Sequence, residues 1–331
     1  MSALKVEILD GLDAVGAGAW DALAASARLP APFLGWTWQA EWARAFATGC
    51  RLEIRRVTDG EGRLVALLPL YETAPGRLAL LGGADVCDYL DLLALRGHES
   101  RAWAAILESR AAEPAVWELH AVPAASPTVT ALPGLAAACG LTAETRVEER
   151  CPVLELPATW EAYLAGLSGK HRHELQRKLR RIDREVPGAS VTCLTEPAAI
   201  LARLDGFLGL HRRSRAGKAR FMDGPMERFF RAAIPAMAAR GGGRLWFLDT
   251  PAGPLASFVT LEWDGVVGLY NSGFDPERAA LAPGLVLLAH LVRRAIEEGR
   301  RRFDFLRGEE RYKYEFEPTP EDVYEVRIAR P

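Results

Sequence analysis

Arg302-Phe303-Asp304-Phe305-Leu306-Arg307-Gly308-Glu309-Glu310-Arg311-Tyr312-Lys313-Tyr314-Glu315-Phe316 lies near the end of the chain. It reads as a short apolar strand over 302–306 with one acid in its middle. The strand stops before Gly308 and opens into acids, tyrosines and a lysine. Successive strand side chains point to opposite faces, so Asp304 faces away from Phe303 and Phe305. In open α/β sheets, ligands sit beyond the carboxyl ends of the strands. Asp304 and the titratable cluster after it therefore mark where chemistry is expected.

The segments before this strand follow a recognisable order. A helix over 225–239 ends at Gly241-Gly242-Gly243, a helix-stop signal. A strand over 244–248 is followed by the turn Thr250-Pro251-Ala252-Gly253. Strands over 256–263 and 266–270 are joined by Asp264-Gly265, a strong hairpin turn. A loop leads to a helix over 284–298, closed by Gly299, and then to the strand 302–306.

The first half offers the same order: an aromatic-rich helix over 36–46, strands over 52–57, 64–71 and 78–81, a helix over 100–111 and a strand over 116–120. Phe33-Leu34 pairs with Phe221-Met222, Leu64 with Leu255 and Trp117 with Phe303 at similar offsets. The expectation is an architectural duplication with mixed sheets: an N-terminal domain over 1–150 and a C-terminal domain over 151–331. Cys151-Pro152-Val153-Leu154-Glu155-Leu156-Pro157 reads as an extended connector. In each unit the strands flanking the helix run parallel, with a right-handed crossover.

Composition narrows the classes. The chain has 331 residues, 49% hydrophobic and 25% charged, with a formal charge of -2. Such a chain builds real cores and is not, as a whole, a polyanion binder. Its first residues, Met1-Ser2-Ala3-Leu4-Lys5-Val6-Glu7, lack a basic segment followed by an apolar one, and the apolar run over 285–292 is too short to span a bilayer. A soluble, cytoplasmic protein is expected. The five cysteines are scattered without a C-x-x-C, so they read as buried, reduced thiols. His171 and His173 are two apart, on different faces of a helix, and no metal site is expected. Neither a G-x-S-x-G, a GxGxxG nor a P-loop occurs, which leaves hydrolase, dehydrogenase and NTPase readings without residues.

Charge is concentrated in two places. Residues 170–184 hold seven Lys or Arg against Glu174 and Asp183, and 212–220 hold five with no acid. Leu175, Leu179 and Ile182 are spaced four and three, so the first run is an amphipathic helix with one buried stripe. It is either a solvated basic face or a site for an anionic partner, with Lys170, Arg172 and Arg180 as candidate contacts. No aromatics interleave with it, which argues against base stacking.

The helix, three antiparallel strands, helix and strand of each unit resemble the GNAT acyltransferase fold. Three stretches are similar to the tandem-domain acyltransferases of the CelD and FemAB type: residues 303–313, Ser168 to Arg181, and Asp88-Tyr89-Leu90-Asp91 after Gly82-Gly83. The resemblance implies that the last strand of the second meander and the strand 302–306 splay apart, with an acyl-CoA thioester, acetyl-CoA in the simplest case, between them. It implies N-acyl transfer to an amine by direct attack in a ternary complex. The implied acceptor is an amino sugar or another envelope or exopolysaccharide precursor.

Fem-type relatives use aminoacyl-tRNA instead, so a tRNA-dependent transferase acting on a peptidoglycan-like precursor is an alternative. A non-catalytic module for an anionic glycan or nucleic acid is a third reading. It is favoured by one departure. The family's R/Q-x-x-G-x-G/A phosphate loop is here Asp275-Pro276-Glu277-Arg278-Ala279-Ala280-Leu281-Ala282-Pro283-Gly284. A helix N-terminus still binds phosphate through its free N–H groups, and Pro283 suits the first turn.

Under this resemblance Asp304 and Glu310 are candidate bases. Tyr270, with Asn271, Ser272 and Gly273 after it, stands where backbone N–H groups meet the acyl carbonyl. Leu281, Ala282, Pro283 and Gly284 hold the phosphates. Asp88, Tyr89, Asp91, Tyr312 and Lys313 contact the acceptor. Each has a plain structural alternative: a sheet-edge ion pair for Asp304, a helix-start acid for Glu310, a turn for 271–273. For Tyr312 and Lys313 it is an amphipathic tyrosine and a snorkelling lysine, and for the aspartates a capping turn.

Overall fold

A computed structural model describes residues 3–110 and 115–331, and the chain divides into two compact units, Met1–Arg150 with Glu321–Pro331, and Cys151–Pro320. Residues Met1 and Ser2 of the N-terminal reading, and Ala111 of the expected helix over 100–111, lie outside the described residues.

The first unit contains strands β1 (Lys5–Leu9), β2 (Leu52–Thr58), β3 (Leu64–Ala74), β4 (Arg77–Leu80), β5 (Leu93–Ala94), β6 (Val116–Pro123) and the first part of β7 (Thr142–Glu155). β2, β3 and β4 form an antiparallel meander. Helix Glu99–Ser109 then carries the chain to β6, which pairs parallel with β4, Leu78 opposite Trp117. The aromatic-rich helix Trp36–Phe46 has the expected ends. Its Trp38 is fully buried, as are Trp20, Trp103 and Trp117 in this unit's core.

The second unit repeats the order. It contains the last part of β7, then β8 (Ser190–Leu194), β9 (Gly243–Thr250), β10 (Gly253–Trp263), β11 (Val266–Phe274) and β12 (Arg302–Asp304). β9, β10 and β11 are the antiparallel meander. Asp264 and Gly265 adopt φ of +41° and +71°, the left-handed turn that Asp-Gly predicts. Helix Pro283–Glu297 crosses to β12, which pairs parallel with β11. The preceding helix, Gly224–Ala239, ends at Gly241, whose φ is +75°, and Gly243 at the start of β9 packs back on it: a Cβ there would lie 2.8 Å from the Ala238 nitrogen. Residues 169–314 thus sit on a core of Leu175, Ile182, Phe258, Val286, Leu288, Val292, Phe303 and Phe305.

Three elements differ from the sequence expectation. Most of the extended connector over 151–157, as far as Glu155, is the end of a longer strand, β7, paired with β12 through Leu154 opposite Phe303. The last residues, which the sequence places in the second half, form β13 (Thr319–Ala329), and most of it pairs antiparallel with β6 in the first unit, Val326 opposite Leu119. Helix Pro197–Ser214 has no counterpart in the sequence reading; its burial of Ile200, Leu204, Phe207 and Leu208 makes it a core helix of the second unit.

Among the described residues no helix is long and apolar enough to cross a membrane. Cys87 and Cys151 are buried, Cys50 and Cys139 are half-buried and Cys193 is exposed, against the expectation of buried thiols throughout.

Candidate active site

The strands β11 and β12 stay paired for only three residues, Val266 to Gly268 against Arg302 to Asp304. β11 runs on to Phe274, while the chain leaves β12 at a sharp corner. The corner is local chemistry. The Asp304 carboxylate accepts the Leu306 N–H at 2.8 Å, and Leu306 adopts a left-handed φ of +55°. An Asp side chain that satisfies a nearby backbone N–H competes with the strand ladder and ends it.

Beyond the corner lies a cavity of about 240 Å³. Its apolar wall is Phe258, Phe274 and Leu285, and its floor is Ala282, Pro283 and Gly284 at the start of the crossover helix. Its polar wall is Arg215, Lys218, Ser272, Glu310 and Tyr312. Ala282 caps the helix with φ +52° and no side-chain acceptor, and Val286 is the first residue whose N–H bonds back to it, at 3.0 Å. The N–H groups of the first turn and the helix dipole make this floor a favourable place for negative charge.

The 306–310 loop is held by Lys313. This residue is 3% exposed, and its ammonium donates to the carbonyls of Arg307 at 2.8 Å and Gly308 at 2.9 Å, and pairs with Glu310 at 2.9 Å. Gly308 needs to be glycine: its φ is +104°, and a Cβ would lie 2.7 Å from a Glu310 oxygen. Burial pushes the Glu310 carboxyl up, but Lys313 and Lys218 outweigh it and hold it below the ordinary value. Burial raises the Tyr312 phenol and Glu310 adds to this, against a hydrogen bond with Ser272.

Lys218 comes from the short helix Ala216–Phe221. Its Nζ donates to the backbone oxygen of Ser272 and, at 3.0 Å, to its hydroxyl. Burial and then Arg215 lower its pKa to about 8, against an opposing pull from Glu310. Helix Pro197–Ser214 packs on β11 next to this point. Gly273 is the contact: a Cβ there would lie 2.4 Å from the His211 nitrogen. His211 is 1% exposed, its Nε2 lies 2.9 Å from the Asn271 amide oxygen, and burial, followed by Lys218, depresses its pKa to about 4.

The structure thus gathers Ser272, Ala282, Pro283, Gly284, Glu310 and Tyr312 around one cavity. It places the other expected residues elsewhere. Asp304 is 4% exposed and engaged at the corner, and does not line the cavity. Tyr270 stacks on Phe230 at 5.6 Å. Asn271 and Gly273 meet His211, and 271–273 continue β11 instead of turning. Lys313 is a buried loop cation, with its donors directed at backbone instead of a phosphate or sugar. Leu281 lines a wider hollow of about 870 Å³ together with Arg213 and Arg278.

In the first unit, Asp91 is 7% exposed and accepts from Leu92 N–H at 2.8 Å and the Thr128 hydroxyl at 2.5 Å, so it belongs to that unit's interior. Asp88 is partly buried, and the Tyr89 ring lies 6.5 Å from that of Phe33. The first unit's own meander end is filled. Cβ atoms on Gly82 and Gly83 would meet Cys87, Leu90 and Trp42 within 2.9 Å.

The basic helix, Gly169–Glu185, uses half of its charge structurally. Lys178 pairs with Glu315 at 2.7 Å, Arg177 with Glu174, and Arg181 with Glu185 while also donating to the Ala280 carbonyl at 2.9 Å. Lys170, Arg172 and Arg180 are exposed and make no ion pair among the described residues. His171 bonds Glu317 at 2.7 Å, and no group of three or more His, Cys, Asp or Glu among the described residues is placed to hold a metal.

Arg215, Lys218, Phe258, Phe274, Ala279 and Leu285 are cavity residues that sequence reasoning missed. The first two lie in the basic run 212–220, but the run alone does not say which cation turns inward.

Residues 169–314 match the family model described as "Acetyltransferase (GNAT) domain". No curated protein matches the chain. Among solved structures, FemX is similar over 97% of this chain and 96% of its own, with a TM-score of 0.66 at 10% identity. A conserved protein of unknown function from Bacteroides thetaiotaomicron is similar over 98% and 100%, with a TM-score of 0.64 at 13% identity. The C-terminal domain of a putative lysylphosphatidylglycerol synthetase from Agrobacterium fabrum is similar over 88% and 86%, with a TM-score of 0.56 at 12% identity. The fold is therefore mixed α/β with tandem GNAT-like units, and the stretch that the family model matches includes the residues that line the cavity.

Proposed function

We propose that the second unit transfers an acyl group, acetyl in the simplest case, from acyl-CoA to an amine. The observation that carries this reading is the cavity opened where β11 outruns β12, floored by the start of helix Pro283–Glu297. A diphosphate at that floor is stabilised by the first-turn N–H groups and by Arg215. Phe258, Phe274 and Leu285 suit the apolar part of a pantetheine arm. The thioester then lies toward Ser272 and Tyr312, and attack is direct within a ternary complex. An amino sugar or other envelope or exopolysaccharide precursor is the acceptor class that the fold's resemblance suggests, by analogy.

Titration calorimetry with acetyl-CoA, followed by a thiol-release assay with glucosamine, tests this. Saturable binding and amine-dependent release of free thiol are expected; a wild-type protein that binds no acyl-CoA contradicts it. The unpaired cations Lys170, Arg172 and Arg180 support a second reading, an aminoacyl-tRNA-dependent transfer. That reading requires binding to tRNA that falls steeply with salt and is weakened by charge reversal at these three positions.

A further inference from the structure

We propose that Lys218 is the catalytic base of the transfer, accepting the proton that the attacking amine must lose. The proposal rests on the acyl-transfer reading and adds to it a residue that neither the sequence motifs nor the family match assigns.

A neutral lysine amine has two N–H donors and one lone pair; an ammonium has three donors. Lys218 has two acceptors among the described residues, the backbone oxygen and the hydroxyl of Ser272. Both are on β11, at the edge of the cavity that Lys218 lines. The third tetrahedral position on Nζ has no hydrogen-bond acceptor among the described residues. Ser272 thus holds the amine in one orientation and leaves a lone pair for an incoming proton.

The surroundings favour this state. Arg215, which lines the same cavity, and His211 are near enough to Lys218 to interact with its charge, with Arg212 one residue beyond His211. From the 306–316 segment, Glu310 and Lys313 act on its charge and Tyr312 lines the same cavity, and Ser272 contacts it from β11. Burial and the cations Arg215 and Lys313 disfavour the charged form, and Glu310 opposes them. The outcome is a pKa of about 8, so about a tenth is uncharged at pH 7 and about half at pH 8. The other titratable groups do not fill this role. Glu310 is tied to Lys313, Tyr312 is held protonated, and Asp304 is bonded at the strand corner.

The step balances. The amine nitrogen attacks the thioester carbon, and the C–N bond forms as the C–S bond breaks. The electron pair leaves on sulfur, and the amine proton moves to Nζ. That proton then passes to the thiolate, giving amide, free thiol and the starting lysine.

Two measurements on the full chain test this. Trace labelling with acetic anhydride across pH, read at Lys218 by peptide mass spectrometry, reports its titration without any acceptor. Half-labelling near pH 8 is expected, and titration near the ordinary lysine value of 10.5 overturns the proposal. The second uses K218R, which keeps a cation and the Ser272 contact but cannot shed its proton. With acetyl-CoA and glucosamine, kcat should fall by about a hundredfold or more. The rising limb of the pH profile near 8 should vanish, while acetyl-CoA affinity by calorimetry stays within threefold. Full turnover or an unchanged pH limb in K218R overturns the proposal. Failure of the wild type to bind acetyl-CoA would instead sink the acyl-transfer reading, and the labelling result separates the two.

Discussion

The Asp304 carboxylate accepts the Leu306 N–H at 2.8 Å, and that bond turns the chain out of β12 just where β11 continues without it, still paired with β10. The splay that opens the cavity is therefore fixed by one acid acting on the backbone two residues later. Asp304→Ala removes the acceptor from a buried N–H and should cost about 1–3 kcal/mol in urea unfolding. Asp304→Asn keeps an oxygen in place and should cost less. An asparagine variant as unstable as the alanine one would show that charge, not the corner bond, is what matters there.

Gly273 should tolerate no side chain. A Cβ would lie 2.4 Å from the His211 nitrogen and 2.6 Å from the Leu210 carbonyl carbon, both backbone atoms of a packed helix. Gly273→Ala should destabilise the fold by about 1–3 kcal/mol, the usual cost of overpacking. Gly284→Ala should leave the melting temperature unchanged, because its nearest neighbours are 3.8 Å away.

Lys313→Met should loosen the 306–310 loop. It leaves carbonyls of Arg307 and Gly308 without their donor and removes the partner of Glu310. A loss of about 1–3 kcal/mol is expected, with faster amide exchange in the loop. Were Lys313 instead an acceptor ligand, substrate affinity would fall and stability would not.

Asp91 gives a pH signature. Burial, followed by opposing hydrogen bonds from Ser126 and Thr128, raises its pKa from 3.8 to about 6. The folded state therefore keeps a proton that the unfolded chain releases. Its contribution is fully present below pH 3.8 and is lost as pH rises through about 6. The loss is on the order of 3 kcal/mol, at about 1.4 kcal/mol per pKa unit. Asp91→Asn should abolish this slope and be at least as stable as wild type at pH 7. Denaturant midpoints measured between pH 4 and 7 check this, and equal slopes in the two proteins would refute it.

Much of this fold is legible in the chain because local rules and tertiary packing agree. Asp264-Gly265 is a hairpin turn in sequence and in space, and helices 36–46 and 284–298 lie within a residue of Trp36–Phe46 and Pro283–Glu297. The floor residues Ala282, Pro283 and Gly284 were legible as a helix start. The misses come from non-local effects. Asn271-Ser272-Gly273 carry turn propensity, yet pairing with β10 and the close approach of His211 keep them in the strand. Lys313 resembles a surface cation in sequence, but the carbonyls it satisfies are assembled only once the loop closes. Strand β13 pairs with β6 from far along the chain, and no periodicity encodes that partner.

The central claim is that the β11–β12 cavity binds the acyl donor with its charged end at Gly284. Calorimetry of acetyl-CoA with the wild type, Gly284→Ala and Gly284→Glu tests it most directly. Binding by the first two and a loss of at least about tenfold, 1.4 kcal/mol, in the glutamate variant are predicted. Equal affinity in all three proteins would contradict the claim.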